Sequence, residues 1–107
     1  MLEMEQFKQD LAGVRTSIEE VGKALDIERL KEQLMEYQED MASAGFWDDM
    51  ERAQKVNRKA HAVQTKLEHF AHLNSRADDL ETLLDLAEES DDNSMAQEIR
   101  EEFKGLS

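Results

Sequence analysis

Apolar residues recur at alternating steps of three and four along most of the chain, the spacing that one face of a helix produces. The first stripe predicts a helix over about residues 3–24. The second predicts a helix over about 27–43, with Asp26 as its N-cap and with Gly45 ending it in the left-handed conformation. The two stripes consist of Phe7, Leu11, Val14, Ile18, Val21 and Leu25, and of Ile27, Leu30, Leu34, Tyr37 and Met41.

A third stripe is much longer and predicts one helix over about 49–89. No Gly or Pro interrupts residues 46–104, and at 1.5 Å per residue such a helix is about 60 Å long. Asp48, followed three residues later by Glu51, is an acidic version of a capping box and predicts the helix start. The alternative is a break near His72–Ser75, where the stripe is poorest. Its members are Ala53, Val56, Ala60, Val63, Leu67, Phe70, Ala77, Leu80, Leu84 and Ala87.

A short fourth stripe follows a turn of capping residues at 90–94, which includes Asp91 and Asp92. It reaches Ser107 without a cap, so we expect the final helix to be truncated. Its members are Met95, Ile99, Phe103 and Leu106. The four stripes predict an all-α fold: an elongated antiparallel helical bundle, coiled-coil-like, with one long helix and three shorter ones, forming one helical domain over residues 1–107.

Charge narrows the choice of partners. Lys and Arg number 13 against 26 Asp and Glu, a net charge of −13. Phosphate contacts need clustered Lys and Arg, so we expect no direct nucleic-acid binding, while the acidic field favours basic protein partners. No apolar run approaches the roughly 18 residues of a membrane span, so we expect no membrane contact. The absence of cysteine excludes a disulfide framework and a thiolate zinc site.

Catalytic and metal chemistry find little support in the sequence. His69 and His72 are three residues apart on one helix face and are the best candidates for a metal site, with His61 as the remaining histidine. The basic residues around them favour solvated surface histidines. Adjacent carboxylates such as Asp91 and Asp92 lack the spacing of a calcium loop, so a capped turn is the better interpretation. We therefore assign no catalytic, cofactor-binding or metal-binding residues and expect no cofactor.

Phe46 and Trp47 place two large aromatic side chains between the second and third helices. They could form an exposed anchor for a partner, since Trp is enriched in binding hot spots. The favoured interpretation is structural: both rings plug the end of the bundle, where buried aromatics contribute a few kcal/mol each.

The chain resembles the N-terminal domain of the bacterial peptide chain release factors. Its Phe-Trp-Asp centre is more similar to release factor 2 than to release factor 1, and the similarity covers nearly the whole chain in the family's order. The matching segments are Gly45–Asp49 with Glu51 and Ala53–Val56 after it, Leu25–Ile27 with Arg29 and Leu30, and Leu83–Glu89 with Asp91 and Asp92.

The resemblance implies a larger cytoplasmic factor that recognises UGA and UAA and triggers hydrolysis of peptidyl-tRNA. The family's Ser-Pro-Phe and Gly-Gly-Gln loops are absent here, because the chain has no proline and no adjacent glycines. This fragment is therefore not expected to be an enzyme. The resemblance implies contact with the ribosome at the large-subunit stalk base and with the release-factor-recycling GTPase. A homodimer of the fragment and a free-standing acidic helical adaptor remain alternatives.

Overall fold

The computed structural model describes residues 2–90 and 93–106, and all regular structure within these ranges is helical. The α-helices are α1 (Leu2–Leu25), α2 (Ile27–Ala42), α3 (Met50–Ser90) and α4 (Ala96–Leu106); one turn of 3₁₀-helix precedes α3 at Phe46–Asp48 and another precedes α4 at Asn93–Met95. The all-α class, with one long helix and three shorter ones, is confirmed. So is the continuity of the third helix, which excludes a break at His72–Ser75.

Both ends of α2 differ in detail from the prediction. Asp26 is its N-cap, as predicted, but the backbone there is left-handed (φ 54°) and the side chain makes no capping hydrogen bond. Helix α2 ends at Ala42 with Ser43 as its C-cap, whose Oγ donates to the Asp40 carbonyl at 2.6 Å. Gly45 is left-handed as predicted (φ 79°), but it lies before the 3₁₀ turn rather than at the end of α2.

The start of α3 is displaced by one residue from the predicted cap. Asp49 Oδ1 accepts a hydrogen bond from the backbone N–H of Arg52 at 3.2 Å, and the Asp49 carbonyl accepts from Ala53 N at 2.9 Å. Asp49 is therefore the N-cap, and the prediction of Asp48 was wrong. The reason is that Asp48 is already part of the 3₁₀ turn. Asp91 and Asp92 of the predicted capped turn, and Ser107 at the predicted truncated end, lie outside the described residues.

The chain divides into two compact units, of which the first comprises Met1–Val21 and Ala71–Ser107. Within it, α1 runs antiparallel to the second half of α3, because residues later in α1 pair with residues earlier in α3. Lys8 pairs with Glu88 at 2.5 Å, and Arg15 pairs with Asp78 at 3.0 Å and with Glu81 at 2.9 Å. The buried core beneath these pairs is Phe7, Leu11, Ile18, Ala77, Leu80, Leu84, Ala87 and Ile99.

Helix α4 joins this first unit parallel to α1. The rings of Phe7 and Phe103 stack with centroids 5.9 Å apart, and Arg100 pairs with Glu3 at 3.1 Å. Ile99 is the most deeply buried residue of α4, at 1% exposure. Because α4 is only 11 residues long, this packing, rather than helix propensity, is what stabilises it.

The second unit, Gly22–Phe70, contains α2, the turn after it and the first half of α3. Its buried residues are Leu30, Phe46, Ala53, Ala60 and Val63. A Cβ added at Gly22 would lie 2.8 Å from Cζ of Phe70, so the end of α1 approaches α3 closely only because residue 22 has no side chain.

Candidate interaction surfaces

The turn over residues 43–49, here called the aromatic turn, is built on one buried ring. Phe46 is 3% exposed, and the Arg52 guanidinium lies over its face at 5.5 Å from the ring centroid. Arg52 is held there by an ion pair with Asp40 at 3.3 Å. A cation over a ring of this kind contributes about 0.5–1 kcal/mol at an exposed site. Phe46 therefore fixes the aromatic turn against the helices that flank it.

Trp47 behaves differently from Phe46, and the prediction that both rings plug the bundle is wrong for it. Its indole meets the Phe46 ring edge-on, with centroids 5.0 Å apart at 85°, yet the residue is 54% exposed. A ring cannot be a plug while half of it is in water. The neighbouring Met50 is 57% exposed. The aromatic turn thus presents an apolar, partly rigid surface, because one ring is anchored and the other leans on it.

Charge is distributed very unevenly between the two units. The unit Gly22–Phe70 holds eight Lys and Arg against ten Asp and Glu, a net charge of −2; the other unit holds five against sixteen, a net charge of −11. Residues 52–67 contain five cations and no carboxylate. The sequence prediction used only the net charge of the whole chain. The net charge summed over successive short windows of the sequence is the signal that reveals this basic segment.

Four cations of this segment form one exposed row on α3, here called the basic stripe: Lys55, Arg58, Lys59 and Lys66. At 3.6 residues per turn they lie within an arc of about 100°. Ala53 and Ala60 are buried on the opposite side of the same helix, and Val63 is buried on its flank. Among the described residues none of the four forms an ion pair, whereas Arg52 pairs with Asp40. The basic stripe is therefore charge available to a partner.

The unit that carries the −11 charge has an open groove of about 550 Å³. Its apolar lining includes Val14, Val21, Leu73 and Leu106. Gly13 also lines the groove, and a Cβ added there would meet nothing within 4 Å. Val14 and Val21 line this groove without being buried, because positions seven residues apart drift by about 20° per heptad around a straight helix.

Among the described residues of this unit, the pKa of Lys8 shifts clearly. The hydrogen bond with Glu88, with smaller contributions from the charges of Glu88, Glu5 and Asp85, raises the pKa of Lys8 above its ordinary value of 10.5. That shift is a consequence of the Lys8–Glu88 ion pair and creates neither an acid nor a base near neutral pH. In the described ranges no polar or charged side chain is buried, so none of these residues forms a desolvated acid–base pair.

The three histidines of the sequence analysis are all exposed. Within residues 2–90 and 93–106 no group of three or more His, Cys, Asp or Glu side chains has a geometry that could hold a metal ion. In the same ranges no helix is both long enough and apolar enough to span a bilayer. Three features of the described surface are left as candidates for contact with a partner: the aromatic turn, the basic stripe and the apolar groove.

Comparison with known proteins identifies a matching family model and relatives of the chain. The family model of the PCRF domain matches residues 30–107. The whole chain is 38% identical to peptide chain release factor 2 of Clostridium perfringens strain SM101, and 83% of it is 37% identical to the factor of the same name in Mycobacteroides abscessus. These alignments cover 29% and 24% of the two relatives, so the chain spans less than a third of their length. No solved structure matches the chain.

Proposed function

Because the chain belongs to the PCRF domain family, we propose that it is an accessory domain of a translation termination factor. The observation that supports this most is the family match over residues 30–107. The relatives reported above carry the name peptide chain release factor 2, and this name supports peptide release on the ribosome, in the cytoplasm, as the proposed activity of the complete protein. As the resemblance implies, that protein would act at UGA and UAA codons.

The chain's own part in this reaction is positioning. The Gly-Gly-Gln loop that the resemblance assigns to hydrolysis is absent from these 107 residues, and the surface described above carries contacts rather than chemistry. A domain that adds binding surface shifts the factor's affinity and its orientation, and misplacement by about 1 Å is enough to slow a reaction about a hundredfold. In this proposal the domain orients a hydrolytic body that lies elsewhere in the protein.

The aromatic turn is the surface proposed to make the protein contact. Trp47 is large, half-exposed and held by the buried Phe46, and exposed Trp side chains on a rigid support are favoured as binding anchors. The partners that the resemblance implies are the large-subunit stalk base and the release-factor-recycling GTPase. Self-association of the isolated chain is the competing use of the same apolar surface.

The test measures binding and release separately. The 107-residue chain is added to ribosomes stalled at UGA with labelled peptidyl-tRNA, and co-sedimentation and peptide release are both recorded. We expect the chain to sediment with ribosomes and to release no peptide. Trp47→Ala should weaken the sedimentation, and Met35→Ala, which removes a residue that is 61% exposed on α2, serves as the matched control. Release of peptide by the chain alone, or no association with ribosomes, would overturn the proposal.

A further inference from the structure

We propose that the basic stripe is a binding site for the phosphate backbone of RNA, an inference that rests on the proposed function because the ribosome supplies the RNA. The net charge of −13 suggested the opposite, but charges farther away than a Debye length, about 8 Å at 0.15 M salt, are largely screened. Phosphate binding is therefore decided by the charges close to the stripe rather than by the total.

Two carboxylates lie within four positions of the stripe residues along α3: Glu51, four positions before Lys55, and Glu68. Lys59 and Lys66 have no acidic residue within four positions on either side except Glu68, which follows Lys66 by two positions and so points to a different side of the helix. Elsewhere on this chain the pattern is different, since Lys8, Arg15 and Arg100 all pair with carboxylates. A row of exposed cations without such partners keeps its full charge for a ligand.

The dimensions of the stripe suit a nucleic-acid strand. Lys55 and Lys66 are separated by eleven residues, about 16 Å along the helix axis. The four cations project from one side of α3, which is continuous through this segment. A straight row of positive charges of this length follows a phosphate backbone, which is itself a regular row of negative charges.

An acidic protein is the other partner that positive charge could attract, and the composition of the face disfavours it. Protein interfaces are organised around buried apolar or aromatic anchors, and the centre of this face is Ala62. Between Lys55 and Lys66 it also carries no Phe, Tyr or Trp ring on which a base could stack. Cations without anchors or stacking platforms recognise backbone charge, independent of sequence.

The experiment compares two double variants that lose the same charge. Lys59→Gln with Lys66→Gln removes two cations from the stripe, and Lys31→Gln with Lys104→Gln removes two cations outside it. Circular dichroism checks that each variant keeps its helix content. Binding is measured over a salt series against three probes: ribosomal RNA freed of protein, intact ribosomes and polyglutamate.

For the parent chain on RNA we expect the logarithm of affinity to fall with the logarithm of salt concentration at a slope of about −3 to −4, as four phosphate contacts require. The stripe variant should reduce the size of that slope by between about one and two and bind roughly 10- to 100-fold more weakly at 0.1 M salt. The control variant should keep the parent's slope.

Each other result has a definite meaning. A stripe variant that binds RNA with the parent's slope, or polyglutamate that binds as well as RNA, overturns the proposal. Binding to ribosomes without binding to free RNA also overturns it, while leaving the proposed function intact. Binding to RNA through the stripe, without binding to ribosomes, supports the stripe and contradicts the proposed function.

Discussion

The two adjacent aromatics of the aromatic turn should differ in what they contribute to stability. Phe46 is 3% exposed, and replacing a buried Phe by Ala costs about 3–5 kcal/mol. Trp47 is 54% exposed, so it removes just under half of the roughly 150–250 Å² that a fully buried aromatic removes from water. At about 25 cal/mol per Å², burial of the Trp47 side chain contributes roughly 2–3 kcal/mol to the free energy of unfolding. The contribution is about 1–2.5 kcal/mol when the unfolded chain is treated as partly compact.

We therefore expect Phe46→Ala to lower the free energy of unfolding by about 2 kcal/mol more than Trp47→Ala does. Urea unfolding should be followed by circular dichroism, because Trp47 is the only tryptophan and its variant loses the fluorescence signal. Equal slopes against urea would show that the variants expose the same surface on unfolding. If Trp47→Ala proved as destabilising as Phe46→Ala, the indole would be packed in solution, and the argument for an exposed anchor would be refuted.

Two further predictions concern α1. An added Cβ at Gly13 meets nothing within 4 Å, so Gly13→Ala should stabilise the chain by about 1 kcal/mol. Gly22→Ala should instead destabilise it by up to about 2 kcal/mol, because its Cβ displaces the Phe70 ring; equal melting temperatures for the two variants would contradict this. The raised pKa of Lys8 means that its pair with Glu88 stabilises the fold below pH 10.5 and is lost as pH rises through the folded-state pKa. Glu88→Gln should lower that pKa in an NMR titration of the Lys8 Nζ, and an unchanged pKa would count against the pair.

Most of the helical architecture could be predicted because it follows from periodicity. The stripe that contains Phe7, Val14 and Val21 also shows the limit of that signal. Phe7 is buried at 7% exposure, Val14 is half-buried and Val21 is 41% exposed, although all three occupy the same place in a seven-residue repeat. A helix with 3.6 residues per turn drifts out of such a repeat, so periodicity predicts the helix well and the buried face less well.

The ends of the helices and the interaction surfaces were harder to predict, for local reasons. Asp48 and Asp49 are both acceptable caps, and only the 3₁₀ turn at Phe46–Asp48 decides that Asp49 takes the role. Phe46 and Trp47 are equally apolar in sequence, and only the packing of the turn buries one and exposes the other. The basic stripe was hidden because a net charge of −13 averages over two units with very different charge.

If these 107 residues are one domain of a larger termination factor, the native polypeptide extends well beyond them. The most direct test is the size of the native polypeptide: an antibody against the chain captures it from its source cells, and peptide mapping extends past Ser107. Since the chain spans 29% of a relative's length, we predict a product roughly three to four times as long, with a Gly-Gly-Gln peptide beyond this domain. A native product of about 12.4 kDa would contradict the claim and leave a free-standing helical adaptor in its place.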